Sequence, residues 1–250
     1  MSGAIAENPS RQVGGDEPVV VVAEPARFVG RGGEKLDAAL ERFGVSVAGR
    51  RVLDAGASTG GFSDCVLQRG AGEVIAIDVG YGQLHERVAS DPRVVVLDRT
   101  NVRHLAAEQV GGPVDIVVAD LSFISLRTVL PALLRMAEPA ADLVVLVKPQ
   151  FEAARAEVDR GRGVIDDPTV WQRVLDDVIA AFAERGATIM GAMASPLTGS
   201  DGNVEFLLHA RSPAADHRVD GHGDRDGDAD PAQFAAAAVA EAETAAANGS

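Results

Sequence analysis

Cysteine is nearly absent from this sequence, which has Cys65 as its one thiol in 250 residues. A single thiol excludes a disulfide within the chain, so the sequence predicts a reducing, cytoplasmic environment. Cys65 lies within an apolar helical pattern, where a small buried hydrophobic residue is expected rather than a nucleophile.

Long apolar runs are also missing. No stretch approaches the ~18 apolar residues of a membrane-spanning helix, no charged leader with an apolar core opens the chain, and no cationic amphipathic helix is evident. We therefore expect a protein that is neither exported nor active on membranes. His217 and His222 lack the spacing of metal ligands, so no metal site is expected.

Lysine is also scarce, since only Lys35 and Lys148 are lysines among the 23 lysine and arginine residues. A buried lysine can lose its proton near neutral pH, whereas a guanidinium stays charged. The two lysines are therefore candidates for a chemical role, the alternative being an accident of composition. Lys35 is expected in the first turn of a helix that ends at Gly44, where the helix dipole disfavours a cation without another partner.

Charge and composition divide the chain into three parts. The net charge is −14, but residues 26–213 carry 20 basic against 25 acidic residues, whereas the two ends carry 3 against 12. We expect a flexible leader over residues 1–26, a folded domain over 27–212, and a flexible, acidic and alanine-rich tail over 213–250. Within the ends, Pro18–Ala23 is predicted as at most one edge strand and Pro231–Ala247 as a loosely docked helix.

Apolar segments of strand length alternate with helical patterns from residue 50 onward. The expected strands are Arg51–Asp54, Glu73–Asp78, Val94–Leu97, Val114–Asp120, Asp142–Val147, Ala187–Met193 and Val204–Ala210. The expected helices are Phe62–Arg69, Gly82–Ser90, Val102–Gln109, Ser125–Glu138 and Pro168–Arg185. This alternation predicts an α/β fold with a doubly wound, mostly parallel seven-stranded sheet, which binds ligands outside the carboxyl ends of its strands.

The turn after the first strand, with the sequence DAGASTGGF over residues 54–62, is rich in small residues. Glycines let a ligand lie against the backbone, and the following helix offers free N–H groups to a negative group. The turn is neither the dinucleotide fingerprint, which needs glycine at Ser58, nor a P-loop, which needs Gly-Lys-Ser/Thr. The alternative is a tight strand-to-helix turn without a ligand.

Polar side chains end or directly follow five predicted strands: Asp54, Asp78, Asp98, Asp120 and Lys148. These ends meet at one edge of a parallel sheet, so the five residues are expected to lie together. Asp78 follows Gly56 at about the interval at which an acid binds a ribose diol in dinucleotide folds, and Asp98 with Asn101 can bind an adenine edge. Each acid taken alone could instead cap a loop or a helix.

Five segments in this order, RGGEKL, DAGASTGGF, DLSFISL, LVKPQFE and NVEF, resemble the TlyA (haemolysin A) type of S-adenosylmethionine-dependent RNA 2'-O-methyltransferase, related to the FtsJ-like ribose methyltransferases. The resemblance runs from about Phe28 to Arg211. It implies a Rossmann-like methyltransferase fold, S-adenosyl-L-methionine (SAM) as cofactor, and a catalytic tetrad of Lys35, Asp120, Lys148 and Glu205. It also implies cofactor contacts with Asp54, Gly56, Ser58, Thr59, Gly60, Gly61, Phe62, Asp78, Val79, Asp98 and Asn101.

The implied reaction moves a methyl group from a sulfonium to a ribose hydroxyl, which must lose its proton. Lys148 is the expected base, Asp120 and Glu205 are expected to orient the two lysines, and no metal is needed. The substrate is expected to be RNA, ribosomal by resemblance, or else a small nucleoside or other hydroxyl metabolite.

Members of the group usually begin with a small basic RNA-binding module of the S4 type, which this sequence does not show, with Pro18–Ala23 as the one candidate remnant. A homodimer and a separate RNA-binding partner that replaces this module are both considered. Three further alternatives are a base N-methyltransferase, because DLSF loosely resembles an amine-gripping loop, a non-catalytic SAM-binding protein, and a membrane-acting haemolysin, which the composition disfavours.

Overall fold

A computed structural model describes residues 26–215 and 230–248. Its strands are β1 (Arg51–Ala55), β2 (Glu73–Ile77), β3 (Val94–Leu97), β4 (Val114–Ala119), β5 (Ala137–Val147), β6 (Thr188–Ala194) and β7 (Phe206–Arg211). They form one sheet in the order β3-β2-β1-β4-β5-β7-β6, in which the first five are parallel and β7 is antiparallel to both of its neighbours. The predicted α/β fold with a mostly parallel seven-stranded sheet is confirmed, whereas Pro18–Ala23 lies outside the described residues.

Eight α-helices accompany the sheet in the described ranges. They are α1 (Gly32–Phe43), α2 (Gly61–Gln68), α3 (Glu86–Ala89), α4 (Leu126–Met136), α5 (Pro149–Glu152), α6 (Arg155–Arg160), α7 (Pro168–Ala183) and α8 (Pro231–Asn248). Local chemistry sets several ends. Gly44 stops α1 with a φ of 65°, and its N–H bonds to carbonyl groups in the last turn of that helix. Asp167 caps α7 by accepting from Thr169 N, and Pro168 occupies the first helical position.

The sheet separates two apolar layers. Successive residues of a strand point to opposite faces, so Val52 of β1 packs with α1 and α2, whereas Leu53 packs with α4 and α7. The central strands are apolar on both faces because both faces are covered. Buried apolar faces fix the register of these strands, and with it the edge at which their carboxyl ends meet.

Several expected elements differ from the structure. β5 begins at Ala137, inside the expected helix Ser125–Glu138 and five residues before the expected strand. Residues 102–109, expected as one helix, form two short 3-10 turns, Val102–His104 and Ala107–Val110, because Asn101 and Gln109 bond to nearby backbone N–H groups instead. The helix expected over 82–90 is limited to Glu86–Ala89, since Gly82 has a φ of 64°. Glu205 directly precedes β7 rather than lying inside it.

The C-terminal helix α8 packs on the domain with one face. Ala235, Ala238, Val239 and Ala242 are buried against β6 and α7. Glu241 accepts a hydrogen bond from Ala194 N at 3.3 Å and lies 3.9 Å from Arg42 of α1. The expected helix is therefore present and docked, and the boundary at residue 212 stays a prediction because α8 lies beyond it.

We predict that Ala238→Arg destabilises the protein and that Ala237→Arg does not. Ala238 is fully buried and its neighbour Ala237 is exposed on the same helix, so the two variants change net charge equally. Forcing a guanidinium into the interface costs about 2 kcal/mol or more, which corresponds to a melting temperature lower by roughly 4–8 °C. Thermal unfolding followed by circular dichroism measures this, and equal melting temperatures for the two variants would show that α8 does not stabilise the domain.

Candidate active site

The turn between β1 and α2 depends on glycine. Gly56 has a φ of 86°, and a Cβ at this position would clash with the carbonyl oxygen of Asp120 at the end of β4. Gly60 has a φ of 93° and directly precedes α2. Glycine at these two positions lets the turn pack closely against the loop after β4 and against the side chains of Leu84 and Val88.

Asp54 is the fourth residue of β1 and is fully buried. Its Oδ2 atom accepts a hydrogen bond from Ser63 Oγ at 2.6 Å, whereas Oδ1 has no hydrogen-bond partner among the described residues. Burial raises the pKa of Asp54 to about 7; the Ser63 hydrogen bond opposes this shift and the charge of Asp120 adds to it. The carboxyl group of Asp54 is thus buried, and one of its two oxygens has no hydrogen-bond partner.

A cavity of about 530 Å³ opens at the carboxyl ends of β1, β2 and β4. Asp78, which follows β2, accepts from Ser58 N at 2.9 Å and from Gly80 N at 2.6 Å. This carboxylate fixes the β1–α2 turn against the loop after β2. Each of its oxygens has a further lone pair, so it can still accept from a ligand hydroxyl.

Most of the expected cofactor residues lie around this cavity. Gly56, Ser58, Asp78, Val79 and Asn101 line it, and Thr59, Gly61 and Phe62 line an adjoining cavity of about 100 Å³. Asp54, Gly60 and Asp98 line neither of the two. Asp98 accepts a hydrogen bond from Gly82 N at 2.9 Å, which is the loop-capping role considered as the alternative.

Sequence reasoning missed several residues that line the larger cavity. They are Gly80, Gln83, Thr100, Val102, Leu121 and Ile124. Each lies within five residues of a predicted strand end, so extending each predicted site a few residues into the following loop would have found them.

The four tetrad candidates form two lysine–carboxylate pairs. Lys35 Nζ donates to Glu205 Oε2, and the two side chains are 7% and 2% exposed. Lys148 Nζ lies 2.5 Å from Asp120 Oδ1 and donates to Ser122 Oγ at 3.2 Å. The expectation that Lys35, in the first turn of α1, needs a partner is thus confirmed by its contact with Glu205.

These pairs face a second cavity, of about 410 Å³. Lys35, Asp120, Lys148 and Glu205 all contribute to its wall, as do residues from the loop at 199–201. Asp120, Ser122 and Phe123 line both the first and the second cavity. The structure therefore brings the four residues together around the second cavity, and Asp120 alone of the four also lines the first.

Glu152 joins the two loops that carry Asp120 and Lys148. Its buried carboxylate accepts from Ser125 Oγ at 2.6 Å, from Leu126 N and from Arg127 Nε at 3.1 Å. Arg127 also donates to the backbone carbonyl of Glu152 at 3.0 Å. The loop after β4 and the loop after β5 are thus tied together at the start of α4.

Phe123 stands at the mouth of both cavities. Its side chain is 92% exposed, its φ is 64°, and its ring centroid lies 5.4 Å from that of Phe151. A large apolar residue with a positive φ is uncommon, and such strain concentrates at functional sites. The ring offers an open face for a planar group.

No helix of residues 26–215 or 230–248 is long and apolar enough to cross a bilayer. Among the same residues no three His, Cys, Asp or Glu side chains are grouped so as to hold a metal ion. His217 and His222 lie outside the described residues.

Known proteins resemble this chain in sequence and in fold. Residues 28–212 fit the family model described as FtsJ-like methyltransferase. The chain is 52% identical to the 16S/23S rRNA (cytidine-2'-O)-methyltransferase TlyA of Mycobacterium tuberculosis over 85% of this chain and 79% of that protein. It is 37% identical to hemolysin A of Brachyspira hyodysenteriae over 78% and 81% of the two chains. A solved structure from Streptococcus thermophilus superposes with a TM-score of 0.76 at 36% identity, covering 90% of this chain and 78% of that one.

The pKa of Asp54 predicts an unusual pH dependence of stability. Its folded-state pKa of about 7 exceeds the ~3.9 of an unfolded aspartate, so the folded form binds more protons and loses stability as pH rises from about 4 to 7. Asp54→Asn removes this loss. We expect the melting temperature of the ligand-free variant, relative to the unmodified protein, to be higher at pH 8 than at pH 5 by about 5 °C or more.

Asp91→Asn is the matched control for this measurement. Hydrogen bonds from Arg93 lower the pKa of Asp91 to about 2, so its contribution is complete at both pH 5 and pH 8 and is lost only in stronger acid. The melting temperature of Asp91→Asn should therefore differ from that of the unmodified protein by the same amount at both pH values. A flat difference for Asp54→Asn as well would contradict the assignment of a raised pKa.

Proposed function

Because the chain belongs to the FtsJ-like methyltransferase family, as the match over residues 28–212 shows, we propose that it methylates the 2'-hydroxyl of a cytidine in ribosomal RNA. It is a SAM-dependent methyltransferase. The observation that carries the proposal is the contact of Lys148, which lines the second cavity, with Asp120, which lines both cavities. One cavity suits the methyl donor and the other a nucleotide, and they meet beside a candidate base.

The residues of the first cavity fit SAM. Asp54 does not line the cavity, but it has a buried oxygen without a partner, which a water molecule bound to the amino group of the methionine part would satisfy. Gly56 lines the cavity without a side chain, and Asp78 has lone pairs left for a ribose diol. We assign the adenine end to the wall that includes Val79 and Asn101.

The second cavity has the side chains that a ribose methylation needs. When bound, SAM supplies an electrophilic methyl group on a sulfonium. The 2'-hydroxyl must lose its proton as it attacks, and Lys148 Nζ is the acceptor that we assign to this proton. Asp120 holds Nζ in place at 2.5 Å. Lys35, held by Glu205, adds a positive charge that favours the negative oxygen of the ribose.

The mouth of the site suits a nucleobase. Phe123 is exposed beside both cavities and contacts Phe151, and stacking on an aromatic ring is the usual way to hold an unpaired RNA base. Relatives support RNA over a small metabolite, since the 52% identical TlyA of M. tuberculosis is named an rRNA methyltransferase. The small-nucleoside alternative is not favoured.

We propose testing the purified protein with methyl-labelled SAM and isolated ribosomal subunits, followed by digestion to nucleosides and mass spectrometry. The expected product is 2'-O-methylcytidine, and mapping of RNA fragments locates it. A panel of free nucleosides is the control. Label only in that panel would replace RNA by a small substrate. Repeating the reaction with protein-free rRNA tests the separate RNA-binding partner, which stays a prediction, as does a homodimer.

Lys148→Met and Lys148→Arg should both lower kcat by at least ~100-fold while SAM binding, measured by calorimetry, is kept. Methionine removes the amine, and arginine keeps the charge but cannot become neutral near pH 7, so both lose the general base, which contributes typically 10²–10⁴-fold. Comparing the two variants distinguishes a role of Lys148 as proton acceptor from a role as a positive charge alone. Retained turnover in Lys148→Arg would reduce Lys148 to an electrostatic contact, and retained turnover in Lys148→Met would remove it from the mechanism.

A further inference from the structure

Gln150 has a polar atom that the protein leaves without a partner. It is the second residue of α5, two positions after Lys148, and its half-buried side chain lines the second cavity together with the tetrad. Its Oε1 atom is buried and accepts no hydrogen bond from any described residue. A buried acceptor without a donor costs free energy, so each such atom in a native structure needs an explanation.

The charged side chains next to Gln150 have partners: even Asp120 Oδ1, which like Gln150 Oε1 makes no hydrogen bond, lies 2.5 Å from Lys148 Nζ. Glu152, two residues further on, accepts from three donors. Lys148 contacts both Asp120 and Ser122, and Lys35 is paired with Glu205. Both lysines of the cavity are thus held by carboxylates, whereas the carboxamide of Gln150 retains an acceptor without a donor.

The chemistry of RNA narrows what that ligand group can be. Within an RNA chain the phosphates and the ring oxygen of ribose only accept hydrogen bonds, and the 3'-oxygen is esterified. The remaining donors of a nucleotide are its 2'-hydroxyl, which the proposed function assigns to Lys148, and the N–H groups of its base. An acceptor without a partner in this cavity thus matches a base rather than the backbone.

We propose that Gln150 reads the cytosine of the target nucleotide. Rotation about its last side-chain bond presents Oε1 to the exocyclic N4 amine of cytosine, while the amide nitrogen can donate to N3. Uracil presents the opposite pattern, an acceptor at O4 and a donor at N3, which the carboxamide meets only when its oxygen and nitrogen exchange places. This inference rests on the proposed function, since it assigns base selection to the same site.

The test uses subunits that carry either cytidine or uridine at the position mapped with the unmodified protein. Gln150→Met keeps a side chain of similar length without the amide, and Gln150→Glu keeps an acceptor. We expect Gln150→Met to lower kcat/KM on the cytidine subunit by ~10- to 100-fold and on the uridine subunit by less than about threefold, which is the range expected for one base-reading pair. Gln150→Glu should keep part of the preference for cytidine.

Gln83→Met is the matched control because Gln83 lines the first cavity instead of the second. It is expected to raise the KM for SAM and to leave the cytidine-to-uridine ratio of kcat/KM unchanged. SAM binding by Gln150→Met, measured by calorimetry, confirms that the variant is folded.

Two results would overturn the inference. In both, the cytidine-to-uridine ratio of kcat/KM is unchanged in Gln150→Met: no loss on either subunit means that the amide does not contribute, and an equal loss on both means that Gln150 positions the loop instead. Both presuppose that the unmodified protein forms 2'-O-methylcytidine. If it does not, the proposed function fails first, so the two failures are distinguishable.

Discussion

The close approach of Gly56 to the carbonyl group of Asp120 is the constraint on which the whole site depends. β1 and β4 are neighbours, with Ala55 opposite Ala119, and Asp120 N donates to Ala55 O at 3.1 Å. The hydrogen bonding between β1 and β4 thus extends to the residues at which both strands end. The turn after β1 and the turn after β4 are therefore in contact. A side chain at Gly56 would push them apart. Because they touch, Asp120 belongs to the walls of both cavities, and a methyl donor and a methyl acceptor can share one boundary.

The two lysine–carboxylate pairs close this boundary from distant parts of the chain. Lys35 and Glu205 are 170 residues apart in sequence, yet both are almost wholly buried in mutual contact. The attraction within a buried ion pair does little more than offset the free energy of removing both charges from water. Stability alone therefore does not explain why this pair lies beside an open cavity. On the proposed function, its position in the lining of the second cavity places a second positive charge near the ribose. The fold would then bear the cost of desolvation where the chemistry needs charge.

The sequence was sufficient for the sheet and insufficient for the loops. Apolar runs such as Val114–Ala119 predict buried strands by length alone, and parallel strands bring their polar end residues to one edge. Asp98 shows the limit: its strand end was correctly placed, but its carboxylate turns to Gly82 N, which depends on loop geometry. Glu152 and Gln150 show another limit, since a contact between two loops and an acceptor without a partner are tertiary facts. No periodicity in the sequence reveals either.

The two halves of the site are built by different means. The cofactor side relies on what the backbone lacks: Gly56 has no Cβ, and the carboxylate of Asp78 binds N–H groups of the turns themselves. The substrate side relies on side chains that fix one another, with Glu152 joining two loops and Phe123 contacting Phe151. A backbone cradle recognises one constant ligand and tolerates little change in shape. A wall of side chains can be altered residue by residue, so on the proposed function selection among nucleotides would belong to the second cavity, where Gln150 Oε1 has no partner.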